Sequence, residues 1–214
     1  MKHDDKIIRL TQADGLADPD RAKLEAHWRA IGGSRDVPDR ADLDPNAIAS
    51  CLDRMLLIER IAPRQARIRL AGQRITALPG HDLRGMPLST LVVPPSRDWL
   101  GDATLALFEQ PARIELGLAG PRSTFRKRNR ASLILLPLRD RDGDVRLGLG
   151  FVTLPQGATG AMTRFEICGE SRRALQCVDR KLRAVIEPRG EPDFETADRA
   201  REVLRRRQGF RVIS

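Results

Sequence analysis

Apolar residues along this chain recur with two different periods, and each change of period marks an element. Asp18-Pro19 supplies a helix cap followed by a residue pre-set for the first turn. Leu24, His27, Trp28 and Ile31 then recur at i, i+3, i+4 and i+7 until Gly32-Gly33. That spacing predicts a helix over 19–31 with His27 packed in its apolar stripe. A second cap-and-proline pair, Asp44-Pro45, predicts a short helix through Ile48 and Ala49 toward Leu52. The stretches 55–61 and 66–71 are rich in branched apolar residues and flank a break at Pro63, which predicts a hairpin. From Gly72 to Phe108 the pattern is helical but interrupted at Pro79-Gly80, Gly85 and Pro94-Pro95. After Ser96, read as a cap, Leu100, Ala103, Leu107 and Phe108 share one helix face. Further strands are expected over 113–120, 131–138 and 145–154, the last two joined by a turn at Asp142-Gly143. His81, beside Gly80, reads as a turn residue.

This order predicts an α+β fold: a five-stranded antiparallel sheet with short helices on one face, plus N-terminal and C-terminal helices. The boundaries expected are an N-terminal arm over 1–17, the domain with its first helix over 18–156, and a C-terminal helical extension over 157–214. In that extension Leu175, Val178, Leu182 and Val185 or Ile186 form an amphipathic stripe ending at Pro188, and a second helix is expected over 193–207. Between sheet and short helices stand Leu70, Ile75, Leu78, Leu83, Leu88, Leu91, Leu107 and Leu135. They are the candidates for the lining of a ligand pocket, and equally for a filled core, because both need the same side chains.

Composition narrows the class. The 214 residues are 41% apolar and 31% charged, with a mean hydropathy of -0.38, which suits a packed globular body. No window approaches the roughly 18 consecutive apolar residues of a membrane span, and the start MKHDDKIIRL has no long apolar stretch. A cytoplasmic protein with no membrane partner is therefore expected. Cys51, Cys168 and Cys177 have no paired spacing and read as ordinary thiols.

The net charge of +9 lies entirely in the second half. Residues 1–110 hold 16 Lys/Arg against 16 Asp/Glu, residues 111–156 hold 9 against 4, and residues 157–214 hold 13 against 9. The densest basic run, RSTFRKRNR at 122–130, makes Arg126, Lys127, Arg128 and Arg130 candidates for binding an anion, a cyclic dinucleotide or nucleic acid. Arg126 and Arg130 have the RxxxR spacing of cyclic-dinucleotide receptors, but the companion D/NxSxxG is missing. A solvated hairpin connection is the structural alternative. Arg35, Arg40 and Asp42 make the loop between the first two helices a candidate contact site. The structural alternative there is an Asp44 cap, with Asp42 pinned by an arginine.

For catalysis the chain offers no GxSxG, HExxH, GxxxxGK[ST] or GxGxxG, and no His and carboxylate cluster at metal-ligand spacing. A non-catalytic protein without a metal site is expected.

The segments HWRAIGGSRDVPDRADLDP at 27–45 and RLAGQRITALPGHDLRGMPLSTL at 69–91, with the strands between them, resemble a PAS sensory domain. More specifically they are similar to a bacterial group of small stand-alone PAS-like regulatory proteins. The resemblance spans about residues 20–155, and Asp53 and Arg54 depart from it where more apolar residues usually sit. It implies two strands, a run of short helices and three strands, in a module that senses or regulates. Two cofactors of such domains are disfavoured by the residues present. Haem needs an axial imidazole, yet the helix expected over 97–109 has no histidine, and His3, His27 and His81 are the only ones in the chain. A flavin photoadduct needs a cysteine among the short helices, where there is none, and the absence of tyrosine removes the partner of a thioester-linked chromophore. With no output domain visible, signal is expected to leave by contact with a second copy or another regulatory protein. The apolar face of the 19–31 helix, or of a 170–187 helix, is the expected surface.

Overall fold

The computed structural model describes residues 18–33, 37–120, 130–154 and 164–175, all within the first of two compact units, Met1–Cys177. Helix α1, Pro19–Gly32, starts where its sequence says it should. The Asp18 carboxylate accepts from the amides of Asp20 and Arg21, Pro19 fills the first turn, and Gly33 ends the helix at φ 54°. The predicted short helix after Pro45 is instead a turn followed by a 3-10 helix over Ala49–Arg54. Asp44 does cap there, but as a local turn, its Oδ1 accepting from the Asn46 amide at 2.9 Å.

The hairpin follows as β1 (Met55–Ala62) and β2 (Gln65–Ala71). Helix α2 (Gln73–Thr76), 3-10 turns over Leu88–Leu91 and Pro94–Ser96, and α3 (Arg97–Glu109) fill the interrupted stretch. Then come β3 (Ala112–Ala119), β4 (Arg130–Arg139) and β5 (Val145–Thr153). The β4–β5 turn is the one expected: Gly143 sits at φ 84°, and the Asp140 carboxylate accepts from the amides of Asp142 and Asp144.

A sixth strand, β6 (Glu166–Ala174), corrects the reading of 157–214 as helical from its start and of a helix over 170–187. Only Ile167 and Gly169 of this strand are buried and Ser171 to Ala174 are exposed, so it carries almost no apolar alternation to announce it. The rest of that extension lies outside the described residues. Among the described residues the sheet runs β2-β1-β5-β4-β3-β6, with every pair antiparallel.

Both faces of this sheet are covered. On the inner face α2, α3 and the 3-10 turns pack on Leu56, Ile58, Ile68, Ile114, Leu116, Leu133, Leu135 and Val152. On the outer face α1 lays Leu24 and Trp28 against Ile134, Leu136, Leu149 and Phe151. Leu175, expected on a helical stripe, follows β6 and packs against this outer cluster. The pairing of β3 with β4 stops at Ile114 and Leu135. Beyond it the Pro137 carbonyl accepts from the Trp28 indole at 3.0 Å, and the Arg139 amide donates to Pro38 at 2.9 Å. Proline is tolerated in this inner strand because the pairing with β3 has already stopped there.

Candidate functional site

Two features are open to chemistry: an apolar cavity on the inner face, and the outer face beside α1. The cavity lies between Ile75, Leu78, Leu88, Leu91, Val92 and Leu100 on the helical side and Leu116, Leu118, Leu133, Val152 and Phe165 on the other. Ile75, Leu78, Leu88 and Leu91 were expected in this wall and stand there. Leu83, Leu107 and Leu135 are buried in the same core but do not line the cavity. The free volume is about 10 Å³, room for about one water, against roughly 300–1,000 Å³ for ordinary ligand pockets. Elsewhere in this core a Cβ at Gly148 would stand 2.9 Å from Ile58 and 3.1 Å from Leu107, so the bare backbone lets α3 settle on β5.

Leu70 is the exception among the pocket candidates, with 48% of its surface exposed. Strict alternation would place it inward with Ala66 and Ile68. The register instead pairs Leu57 with Leu70 and Ile58 with Ile68, leaving Arg69 as an extra residue. This bulge reverses the facing of everything after it. Leu70 therefore stands on the outer face, opposite the partly buried Leu57. Glu59 on the same strand pair accepts from Arg67 at 2.7 Å and Arg69 at 3.1 Å.

Under α1 the outer face is held by two charge clusters, neither expected from the sequence. In one, Arg54 bridges the Asp18 and Asp20 carboxylates at the start of the helix, its guanidinium 4.7 Å from the centre of the Phe151 ring. In the other, Glu25 accepts from Arg21 at 3.0 Å and from Arg113 at 2.9 and 3.0 Å. Glu115 closes the square, accepting from Arg21 at 2.6 Å and Arg113 at 3.0 Å. Burial alone would push the Glu25 carboxyl up, but the hydrogen bonds and charge of Arg113, then Arg21, outweigh it and hold the group below the ordinary glutamate range. Glu115 is held down in the same way, by Arg21 first and Arg113 second. The i, i+4 spacing of Arg21 and Glu25 and the i, i+2 spacing of Arg113 and Glu115 were visible signals; that they meet required the register of α1 on β3.

This arrangement corrects the expectation that α1 offers a free apolar face: Leu24 has no exposed surface and Trp28 only 4%. His27 is not a core residue either. It is half-buried at the edge of α1, its Nε2 accepting from the Asp44 amide at 3.2 Å. Ser96 does not cap α3, because its Oγ accepts instead from the Ile167 amide at 3.0 Å. Arg40 and Asp42 are exposed in a 3-10 turn over Arg40–Asp42, and Arg35 lies outside the described residues. Of the basic run, Arg130 opens β4 opposite Ala119, while Arg126, Lys127 and Arg128 lie outside the described residues. Cys51 donates to the Asp20 carbonyl at 3.2 Å, and burial pushes its thiol up, away from reactivity. Among the described residues no cluster of His, Cys, Asp or Glu has the makings of a metal site, and no helix is long and apolar enough to cross a membrane.

An antiparallel sheet whose first two and next three strands are separated by a run of short helices, all cupped on one face, defines an α+β class of domain. A family model described as a PAS domain matches residues 17–153, and the chain belongs to the PAS domain family. Comparison with curated protein sequences finds no match. Among solved structures, a light-oxygen-voltage domain studied with a flavin analogue is 19% identical, with a TM-score of 0.38 over 52% of this chain and 84% of that one. The light state of the Aureochrome1 blue-light photoreceptor domain is 14% identical, with a TM-score of 0.35 over 52% and 88%. β6 lies beyond the part of the chain that the family model covers.

Proposed function

We propose that this chain is a non-catalytic sensory and regulatory module that acts by protein contact, and that the contact surface is the outer face of β1 and β2. The carrying observation is the bulge at Arg69, which turns Leu70 out to stand opposite Leu57. An exposed leucine alone means little. Here the residue is put outward by a register device, opposite the partly buried Leu57. The occupant that suits the face is a second copy of the chain. Glu59 is paired with Arg67 and Arg69 within the chain, so a two-fold contact through Leu70 would not strand their charges.

The experiment is size-exclusion chromatography with light scattering on the wild type and on Leu70→Glu, a change at an exposed position that leaves the core intact. A dimer for the wild type and a monomer for the variant is the expected result. Equal masses for the two proteins would overturn the assignment of this face. The rival reading, a cyclic-dinucleotide or nucleic-acid binder using Arg126, Lys127, Arg128 and Arg130, predicts salt-sensitive affinity that is indifferent to Leu70.

A further inference from the structure

The bulge in β2 lies between two fixed points, and the number of residues between them accounts for it. At the first point the Ile68 amide donates to the Met86 carbonyl at 2.8 Å, and the Ile68 carbonyl accepts from the Gly85 amide at 2.7 Å. A bridge between Arg67 and Pro87 continues this contact, and Gly85 turns into it at φ 80°. Ile68 itself is fully buried, opposite Ile58. At the second point the Gly72 amide donates to the Met55 carbonyl at 2.8 Å. A Cβ at Gly72 would stand 2.2 and 2.3 Å from the carbonyl oxygens of Leu52 and Asp53. Between the two points Leu56 and Leu57 of β1 face Arg69, Leu70 and Ala71 of β2. Three residues against two leave one over.

Neither point can give way by one residue. Sliding the chain at Gly72 brings Ala71 to the Met55 carbonyl, and its Cβ meets backbone that no rotamer can clear. Sliding it at Ile68 turns Arg69 toward the apolar core opposite Ile58, and Ile68 out of that core. We propose that Gly72 and the contact of Ile68 with Gly85 and Met86 are the positioning elements of the association face. Together they set Leu70 opposite Leu57, whatever the side-chain preferences of β2. The inference rests on the reading of that face as the contact for a second copy. Arg69 is the spare residue, held on the surface by Glu59 at 3.1 Å, and its removal leaves the facing of Leu70 unchanged.

Two single-residue deletions in the full chain test this, with methyl NMR reading the facing of Leu70 and light scattering reading association. Deleting Arg69 leaves two residues against two between the same points. The methyl contact between Leu57 and Leu70 and the mass of the wild type are both expected to persist. Deleting Ala71 also leaves two against two, but it sets Leu70 opposite Leu56 on the inner face. The Leu57–Leu70 contact and the association are then expected to be lost. Failure of the Arg69 deletion to fold, loss of the Leu57–Leu70 contact in it, or survival of that contact on deleting Ala71 overturns the proposal. If the Ala71 deletion does not fold, the Arg69 deletion decides alone. A monomeric wild type in which the contact still follows the two deletions as stated supports the positioning role and overturns the reading of the face as a dimer contact.

Discussion

The guanidinium of Arg54 rests on the Phe151 ring, 4.7 Å from its centre, while its nitrogens reach the Asp18 and Asp20 carboxylates. One side chain thus joins the end of the 3-10 helix before β1, the outer face of β5 and the first turn of α1. Only 11% of it is exposed, so its contacts form away from the full screening of water. Arg54→Ala leaves two acids facing each other without their cation, and is expected to cost about 2–4 kcal/mol. Arg54→Lys is expected to recover only part of that, because an ammonium cannot bridge two carboxylates and stack at once. Urea denaturation of the three proteins checks both values, and a variant as stable as the wild type refutes the clamp.

The square of Arg21, Glu25, Arg113 and Glu115 makes a pH prediction with a definite sign. Both carboxyls are lowered in the folded protein, so at acid pH the unfolded chain binds more protons. The stabilisation is present above the ordinary glutamate value of about 4.3, and it is lost as pH falls through the lower folded values. Urea midpoints followed from neutral to acid pH are expected to fall through that window in the wild type. In Glu25→Gln the fall is shallower, since one of the two linked groups is gone. Parallel curves for the two proteins contradict the assignment.

Gly72 is required by space rather than by its backbone angles. A Cβ there would stand 2.2 Å from the Leu52 carbonyl oxygen and 2.3 Å from that of Asp53, and its amide already donates to Met55 at 2.8 Å. No side chain can move aside to relieve the clash. Gly72→Ala is therefore expected to destabilise the domain by at least about 3 kcal/mol, while Gly33→Ala, which meets nothing within 4 Å and bears only the strain of φ 54°, costs about 1 kcal/mol. Thermal melts of the two variants give the comparison, and equal losses contradict it.

The basic segment supplies a discriminating control. If protein contact is the mode of action, replacing Arg126, Lys127, Arg128 and Arg130 together by alanine leaves the mass in solution unchanged. Filter binding with a cyclic dinucleotide or a short oligonucleotide then gives no affinity that falls steeply with salt. Salt-steep binding lost in the quadruple variant supports the rival reading.

Much of the fold was legible because its signals are local. Asp18-Pro19 and Gly32-Gly33 bracket α1, Asp142-Gly143 sets the last turn, and the apolar runs give β1 to β5 within a residue or two. The failures share a cause in pairing across the sheet. Leu70 obeys the alternation of its own strand until a bulge, which exists only relative to β1, reverses it. The apolar stripe of α1 holds for Leu24 and Trp28 but not for His27, and its partner is the outer face of the chain's own sheet rather than another molecule. The near-continuous apolar runs ASLILLPL and VRLGLGFVTL, buried on both faces in β4 and β5, were the available sign that the outer face already had a cover. β6 offers almost no pattern, since an edge strand with two buried residues looks like a charged loop. Arg54 was visible only as a departure from the expected apolar entry to β1; its role depends on three elements meeting.

The central claim concerns the face that carries Leu57 and Leu70, and methyl NMR addresses it at the residues themselves. Spectra of the full chain are recorded as its concentration is raised from micromolar to millimolar. The account predicts that the Leu57 and Leu70 methyl signals shift or broaden with concentration while those of Leu116 and Leu133 in the inner core stay fixed. Outer-face signals that do not change, in a protein that nevertheless self-associates, would contradict it.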